Sequence, residues 1–340
     1  MIYRSKAPLR IGLAGGGTDV SPYCDQFGGA ILNATVSMYA QATIEPLAEN
    51  KIELAALDRN EKLVYDRVNQ LPIDGKLDLL KGVYNRIQSD YGIPAGGFRL
   101  STFVDAPAGS GLGTSSTLVV AIIGAFTEML RLPLGEYDMA HYAYEIERYD
   151  LGLAGGRQDQ YAATFGGVNF MEFYGDDKVI VNPLRIRQEY LFELENNLLL
   201  YYTSTSRESA EIIKKQSRNV SERKGGSIEA MHQLKEQARL MKEALLKGKI
   251  HEIGEILDFG FQQKKQMAEG ISNTLLEDIY NSAKAAGATG GKISGAGGGG
   301  FMIFYCPGNT KYNVIEKLQP FGGRYRRYQF TEYGLKTWAV

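Results

Sequence analysis

The run Pro107-Ala108-Gly109-Ser110-Gly111-Leu112-Gly113-Thr114-Ser115-Ser116 sets three glycines among four hydroxyl side chains, just ahead of an apolar stretch that reads as a helix. Glycine lets a backbone approach an anion closely and adopt positive φ. The N–H groups that open the next helix have no partner inside it, and the helix dipole favours negative charge there. The composition therefore predicts a phosphate site, with Ser and Thr as added donors and a hydroxyl available to a metal ion. An ordinary turn whose serine caps a core helix would not need so many glycines.

The loop is not a Walker A sequence, because no Lys-Ser or Lys-Thr follows its last glycine. It also lacks the acidic partner of a dinucleotide fingerprint some twenty positions on. A second run, Gly295-Ala296-Gly297-Gly298-Gly299-Gly300, matches G-x-G-x-x-G literally but leads into the strand-like Phe301-Met302-Ile303-Phe304. Without a helix to follow, the physical reason for pyrophosphate binding is missing, and the match is no sign of a nicotinamide cofactor.

Three segments in order resemble the GHMP kinases, which include galactokinase, homoserine kinase, mevalonate kinase and phosphomevalonate kinase. They are Ala7-Pro8-Leu9-Arg10-Ile11-Gly12-Leu13 running to Gly17-Thr18-Asp19, the loop from Pro107 to Ser116, and Lys292-Ile293-Ser294 running to Gly300. Together they span nearly the whole chain. The resemblance implies an α+β protein of two lobes: an N-terminal lobe like ribosomal protein S5, over 1–185, and a helix-rich, ferredoxin-like C-terminal lobe over 186–340. The first would carry the phosphate loop 107–116 and the second the glycine loop 292–300. It also implies an ATP-dependent kinase using Mg²⁺.

Site residues follow from the same resemblance. Gly155-Gly156-Arg157-Gln158-Asp159-Gln160 is similar to the segment holding the catalytic aspartate of the galactokinase branch, which assigns that role to Asp159. Arg10 takes the place of the cation near the nucleophile, so that a carboxylate and a cation flank the transferring group. ATP would lie on Pro107, Gly109, Ser110, Gly111, Leu112, Gly113, Thr114, Ser115 and Ser116. Glu147, twelve positions before Asp159, would hold Mg²⁺ with Ser116. Gly17, Thr18, Asp19, Gly297 and Gly298 would contact the sugar. Galactokinases carry Glu-His before Thr-Asp, where this chain has Gly16-Gly17. That variant is most similar to members acting on D-glycero-D-manno-heptose 7-phosphate, with fucokinase- and galactokinase-like sugar 1-kinases as the alternative. A phosphate already on the sugar would need basic donors, and Arg207 in Thr203-Ser204-Thr205-Ser206-Arg207 has suitable chemistry. A silent nucleotide- or sugar-sensing regulator on the same fold, and a decarboxylase of phosphorylated isoprenoid acids, are the readings from other classes.

The elements that must position these groups are legible in outline. Strands are expected at Leu9 to Leu13, Asn33 to Ile44, Lys51 to Leu57, Phe98 to Val104, Leu198 to Tyr202, Phe301 to Tyr305 and Lys336 to Val340. Helical spacing covers Leu77 to Tyr91, Ser116 to Arg131, Tyr137 to Tyr149, Ser227 to Leu246, Ile250 to Met267 and Leu275 to Ala286. With 38 basic and 39 acidic residues, no cationic field is available for nucleic acid. Two isolated cysteines, basic residues early in the chain and an apolar run too short to span a bilayer fit a cytoplasmic protein without a membrane partner. His141, His232 and His251 lack metal-ligand spacing, and the partner is a small sugar or sugar phosphate. Oligomeric state is left open.

Overall fold

The computed structural model describes residues 1–205 and 209–340. The first half of the chain runs β1 (Tyr3–Ala14), α1 (Tyr23–Phe27), β2 (Gly29–Leu47), β3 (Lys51–Ala56), β4 (Glu61–Asp66), α2 (Asp78–Asp90), β5 (Gly97–Val104), α3 (Thr114–Leu130), α4 (Glu136–Glu145), α5 (Gln158–Phe165), β6 (Val168–Phe173) and β7 (Val179–Pro183). The second runs α6 (Gln188–Asn197), β8 (Leu198–Tyr202), α7 (Ser209–Ser221), α8 (Gly225–Leu246), α9 (Ile253–Met267), α10 (Thr274–Ala285), β9 (Gly290–Ile293), β10 (Phe301–Tyr305), α11 (Thr310–Leu318), β11 (Arg324–Arg326) and β12 (Lys336–Ala339).

Strand β2 is long enough to join two sets of partners: its first half pairs with β6 and its second with β5, both antiparallel. The larger sheet has the order β12-β1-β2-β5-β3-β4, with β6 and β7 attached through β2. Helix α3, apolar almost all round, lies between this sheet and α2, where Val119, Ile122, Ile123 and Phe126 meet Val83, Tyr84 and Ile87. A helix buried on every side needs no polar face, which accounts for its uniform hydrophobicity. The smaller sheet, β11-β8-β10-β9, is antiparallel and packs through Leu199, Met302 and Phe304 onto a helical layer that includes Phe261 and Tyr280. The other face of the same strands joins Leu9, Ile11 and Leu13 of β1 in a core shared by both halves.

Most expected elements appear with ends moved by a few residues. Two differ in kind. The helix expected over Tyr137 to Tyr149 stops at Glu145 and continues as a π turn, Ile146–Asp150, closed by Leu151 N–H donating to the Ile146 carbonyl at 3.0 Å. The charged stretch before β8 forms α6, whose Leu194 is buried while most of its other side chains stay at the surface. The last strand, β12, returns to pair with β1, so the chain's end adds to the first sheet and not to the second. Among the described residues no helix is long and apolar enough to cross a membrane. Cys24 and Cys306 are buried and free.

Candidate active site

A cleft of about 710 Å³ opens between the loop 107–116, the 15–19 turn, the start of α5, and helices α7 and α9. Its first wall is the beginning of α3. Gly113 precedes that helix at φ 76° and no side chain caps it, so the N–H groups of the first turn keep no intrahelical partner. No acidic residue lies in that turn, leaving the positive end of the dipole unopposed for an anion. Gly111 is required for another reason: a Cβ there would sit 2.6 Å from the Ser294 carbonyl oxygen, at φ +84°. The phosphate loop and the third glycine loop thus touch backbone to backbone, and Gly295 reciprocates with its virtual Cβ 2.6 Å from the Gly111 Cα.

Arg10 and Asp159, far apart in sequence, meet beside this loop. The Arg10 Nε and Nη2 donate to Asp159 Oδ1 at 2.7 and 2.6 Å, and Nη1 donates to the Gly111 carbonyl at 2.6 Å. The pairing of β1 with β2 shifts register between Pro8 and Arg10, and such irregularities re-aim a side chain that would otherwise follow the pleat. Asp159 Oδ2 has no hydrogen-bond partner among the described residues and lies 3.2 Å from the position of a Cβ on Gly113. One carboxylate oxygen is therefore pinned by a cation, and the other is free next to the phosphate loop.

Asp19 holds the element that carries Asp159. Its Oδ2 accepts from the Arg157 and Gln158 N–H groups at 2.9 and 3.1 Å, so it caps the N-terminus of α5 from a distant loop. Gly156 makes the approach possible, since a Cβ there would lie 1.9 Å from the same oxygen. Burial raises the Asp19 pKa, with the Asp159 charge adding to the rise, while the Gln158 and Arg157 N–H groups pull it down.

On the other side, the π turn swings Glu147 inward to almost complete burial. Residues two apart on a helix point to opposite sides, so Glu147 and its neighbour Glu145 face different surroundings. Glu145 instead joins Asp90 and Asp150 around Arg86. Gln160 donates to Glu147 Oε2 and to Ser116 Oγ, the latter at 3.1 Å, while its own Oε1 is buried without a partner. Burial raises the Glu147 pKa, opposed by Arg148, Ser116 and Gln160 and reinforced by Asp159. A carboxylate and a hydroxyl at one cleft edge, with the orphaned Gln160 amide oxygen buried behind them, form a donor set of hard oxygens. That set suits Mg²⁺, which takes few protein ligands beside nucleotide phosphates.

Not every expected residue faces the cleft. Gly109, Gly111, Gly113, Thr114, Ser115 and Ser116 do, as do Arg10, Gly17, Asp19, Glu147 and Asp159. Pro107 lies at the exposed outer edge. Ser110 and Leu112 turn into the interior, where the Ser110 carbonyl accepts from Phe301 N–H and the Leu112 carbonyl from Arg10 N–H. Thr18 lies outside that lining: its buried hydroxyl lies 2.9 and 3.0 Å from the Gly15 and Ala30 carbonyls and accepts from the Ala30 N–H, closing the turn upon itself. Gly297 and Gly298 also lie outside it and pack on Ile271, whose carbonyl accepts from Gly298 N–H at 2.8 Å. Arg207 lies outside the described residues.

Two lysines join the site without having been expected there, Lys264 outside every motif and Lys292 at the head of the third glycine segment. Lys264 of α9 lines the cleft and donates to the Gly295 carbonyl; Lys292 of β9 stands behind it and donates to the Gly12 carbonyl at 2.8 Å. Burial and the Arg10 charge push the Lys264 pKa down to about 8, partly offset by Asp19. Burial, with Lys264 and Arg10 as neighbours, takes Lys292 well below the usual lysine range. Gln158 and Gln216 complete the wall.

The chain matches the family model of the GHMP kinases N terminal domain over residues 78–167 and that of the GHMP kinases C terminal domain over 241–323. It is 48% identical over 337 residues to the D-glycero-alpha-D-manno-heptose 7-phosphate kinase of Campylobacter jejuni, covering 99% of both chains. A crystal structure of a D-glycero-D-manno-heptose 1-phosphate kinase from Bacteroides thetaiotaomicron superposes with a TM-score of 0.85 at 46% identity, over 99% of both. Galactokinase from Lactococcus lactis, 18% identical over 98% of this chain and 95% of its own, shares the fold at a TM-score of 0.77.

Proposed function

This chain belongs to the GHMP kinases, and on that footing we propose that it transfers the γ-phosphoryl group of ATP to the anomeric O1 of D-glycero-D-manno-heptose 7-phosphate. The observation that carries the reading is the uncapped start of α3 facing the Arg10–Asp159 pair across one cleft. The triphosphate lies on the N–H groups of Gly109 to Ser116, where the dipole of α3 offsets its charge. A smaller, mainly apolar cavity of about 160 Å³ shares Leu153 with the cleft and is lined by Leu77, Leu79, Leu80, Leu118 and Leu151 with Asp58 and Arg59. It takes the adenine, a flat apolar ring with polar edges.

Ser116 and Glu147 would hold Mg²⁺, which supplies charge neutralisation at the β- and γ-phosphates. The acceptor O1 hydroxyl rests against the free Oδ2 of Asp159. As O1 bonds to the γ-phosphorus and the bond to the ADP oxygen breaks, the O1 proton passes to Asp159. Arg10 fixes the carboxylate through its other oxygen and keeps a positive charge beside the transferring group. Buried Asp19 keeps α5 in place and presents its remaining oxygen to sugar hydroxyls. Gln158 reaches the same region with a buried Oε1 that has no partner.

The test is Mg²⁺-dependent ADP release from ATP and D-glycero-D-manno-heptose 7-phosphate, with fucose, galactose and mannose as competitors. Phosphorus–proton correlation of the product distinguishes a phosphate on O1 from one on O7, and so separates the two activities carried by the relatives' names. A 1,7-bisphosphate formed from the 7-phosphate is the expected result. Turnover of fucose or galactose at higher kcat/KM would replace this substrate with the unphosphorylated sugar.

A further inference from the structure

Three buried basic side chains converge on the acceptor side of the cleft, Arg10, Lys264 and Lys292, each at most 5% exposed. Two carboxylates face them, and their charge is already engaged. Asp159 is paired with Arg10, and Asp19 holds the N-terminus of α5. Lys264 and Lys292 donate to backbone carbonyls, and among the described residues neither forms an ion pair. An ammonium has three N–H donors, and Lys264 uses one of them on Gly295. Burying a cation without a counter-charge is costly, and the cost is relieved when a ligand brings the anion.

The space beside Lys264 is made by missing side chains. A Cβ on Gly16 would stand 3.6 Å from the Lys264 Nζ and 3.9 Å from the Lys292 Nζ. A Cβ on Gly17, at φ +104°, would stand 3.6 Å from Gln216 Oε1 and only 2.6 Å from Met267 Cε. Gln216, on α7, is 2% exposed, lines the cleft, and has no hydrogen-bond partner among the described residues. Among the described residues the Gln216 amide thus keeps hydrogen-bonding capacity on the cleft side, available to a ligand.

We propose that Lys264 and Gln216, standing over the side-chain-free Gly16–Gly17 turn, form the seat for a phosphate that the acceptor already carries. The proposal rests on the reading of this cleft as a phosphoryl-transfer site, and goes beyond it by naming the residues that select a phosphorylated sugar. Lys264 supplies the charge and two free N–H groups, the Gln216 amide donates a further hydrogen bond, and Lys292 reinforces the field from behind. The glycines leave the volume that the phosphate fills. Asp19 lies within the same field, and its repulsion toward a phosphate is offset by its own N-terminal cap on α5.

The test compares kcat/KM for D-glycero-D-manno-heptose 7-phosphate and for the unphosphorylated heptose, in wild type, Lys264→Met and Gln216→Leu. Nucleotide affinity, measured by calorimetry on the same samples, reports on the fold. Loss of a hydrogen bond to a charged group corresponds to roughly 10- to 100-fold. The preference for the phosphorylated acceptor falls by that factor in Lys264→Met, through KM, and by less in Gln216→Leu. Inorganic phosphate, used as a competitor against the acceptor, weakens in parallel. An unchanged preference in a Lys264→Met protein that still binds ATP overturns the seat and leaves the kinase reading standing. Should the wild type act on another phosphosugar and ignore the heptose, the substrate reading fails. The seat is then upheld or overturned by the same ratio on that sugar and its dephosphorylated form.

Discussion

On the proposed nucleotide wall of the cleft the candidate phosphate donors come from one continuous run, Gly109 to Ser116. On the acceptor wall Arg10, Asp19, Asp159, Gln216 and Lys264 come from separate elements along the chain. The first wall is neutral: backbone N–H groups and hydroxyls at a helix start, with no lysine among them. The second is crowded with buried ionisable groups, of which only Arg10 and Asp159 are paired with each other among the described residues. A site of the first kind is organised by local chain geometry and is ready before a ligand arrives. A site of the second kind depends on tertiary packing and remains electrostatically incomplete until an anion enters. The contrast predicts that changes on the acceptor wall will move catalysis and stability in opposite directions, whereas changes on the nucleotide wall will not.

The largest expected effect lies where the walls meet. Asp159→Asn removes the proposed proton acceptor and the partner of Arg10 while keeping the shape of the side chain. General-base removal corresponds to roughly 10²- to 10⁴-fold in kcat. The loss should fall on kcat, with ATP affinity kept, because the nucleotide contacts come from the other wall. Steady-state ADP release and equilibrium ATP binding separate the two. A fall of less than tenfold would mean that Asp159 only orients the acceptor, and the division between the walls would lose its chemical centre.

Lys264 provides the second way to break the comparison, through stability without ligand. Its ammonium has an ordinary pKa of 10.5 unfolded and about 8 in the folded protein, because burial and Arg10 disfavour the charge. The folded state therefore binds fewer protons than the unfolded one between pH 8 and 10.5, so this group's contribution to stability rises with pH across that window. Below pH 8 the full penalty applies, about 3 kcal/mol from the gap between the two values. Lys264→Met removes it, and the ligand-free variant should be more stable than wild type at pH 7 by up to that amount. The difference should shrink as pH climbs from 8 toward 10.5. Urea unfolding at a series of pH values measures this, and a variant less stable than wild type at pH 7 would contradict the picture of an uncompensated charge. Gain of stability with loss of acceptor selectivity is the exchange expected of a strained functional group.

The same contrast explains what could be read from the sequence. The phosphate loop was legible because its chemistry is local, written in glycines and hydroxyls at a helix start. Arg10, Asp159 and Glu147 were assigned through motif order and do line one cleft, although the register shift in β1 and the π turn after α4 leave no compositional trace. Lys264 was hidden by its neighbour. Lys264 and Lys265 stand side by side on one helix, yet one is buried against Gly295 and the other reaches Glu277 at 3.2 Å near the surface. The third glycine run has a packing role that its composition does not announce: its glycines let backbones touch, at Gly111 and at Ile271. Helix α6 escaped because only Leu194 and Asn197 of its residues are buried, too few to give a period.

Thr18 gives the smallest expected effect and the sharpest test of where the acceptor wall ends. By sequence it belongs with Asp19 as a sugar contact, but its hydroxyl bridges the Gly15 and Ala30 carbonyls and accepts the Ala30 N–H at 3.1 Å, all within the protein. Its neighbour faces the cleft while Thr18 does not, because the turn that begins at Gly15 reverses the chain between them. Thr18→Val keeps the shape and removes the bridge, leaving buried backbone groups short of a partner, at a cost of about 1–2 kcal/mol. The expected result is a lower urea midpoint with KM for the acceptor within about twofold of wild type, since a shift of that size is only ~0.4 kcal/mol. A tenfold rise in acceptor KM at unchanged stability would instead place the Thr18 hydroxyl on the sugar. The acceptor wall would then include the whole turn and not just the residues whose side chains now open onto the cleft.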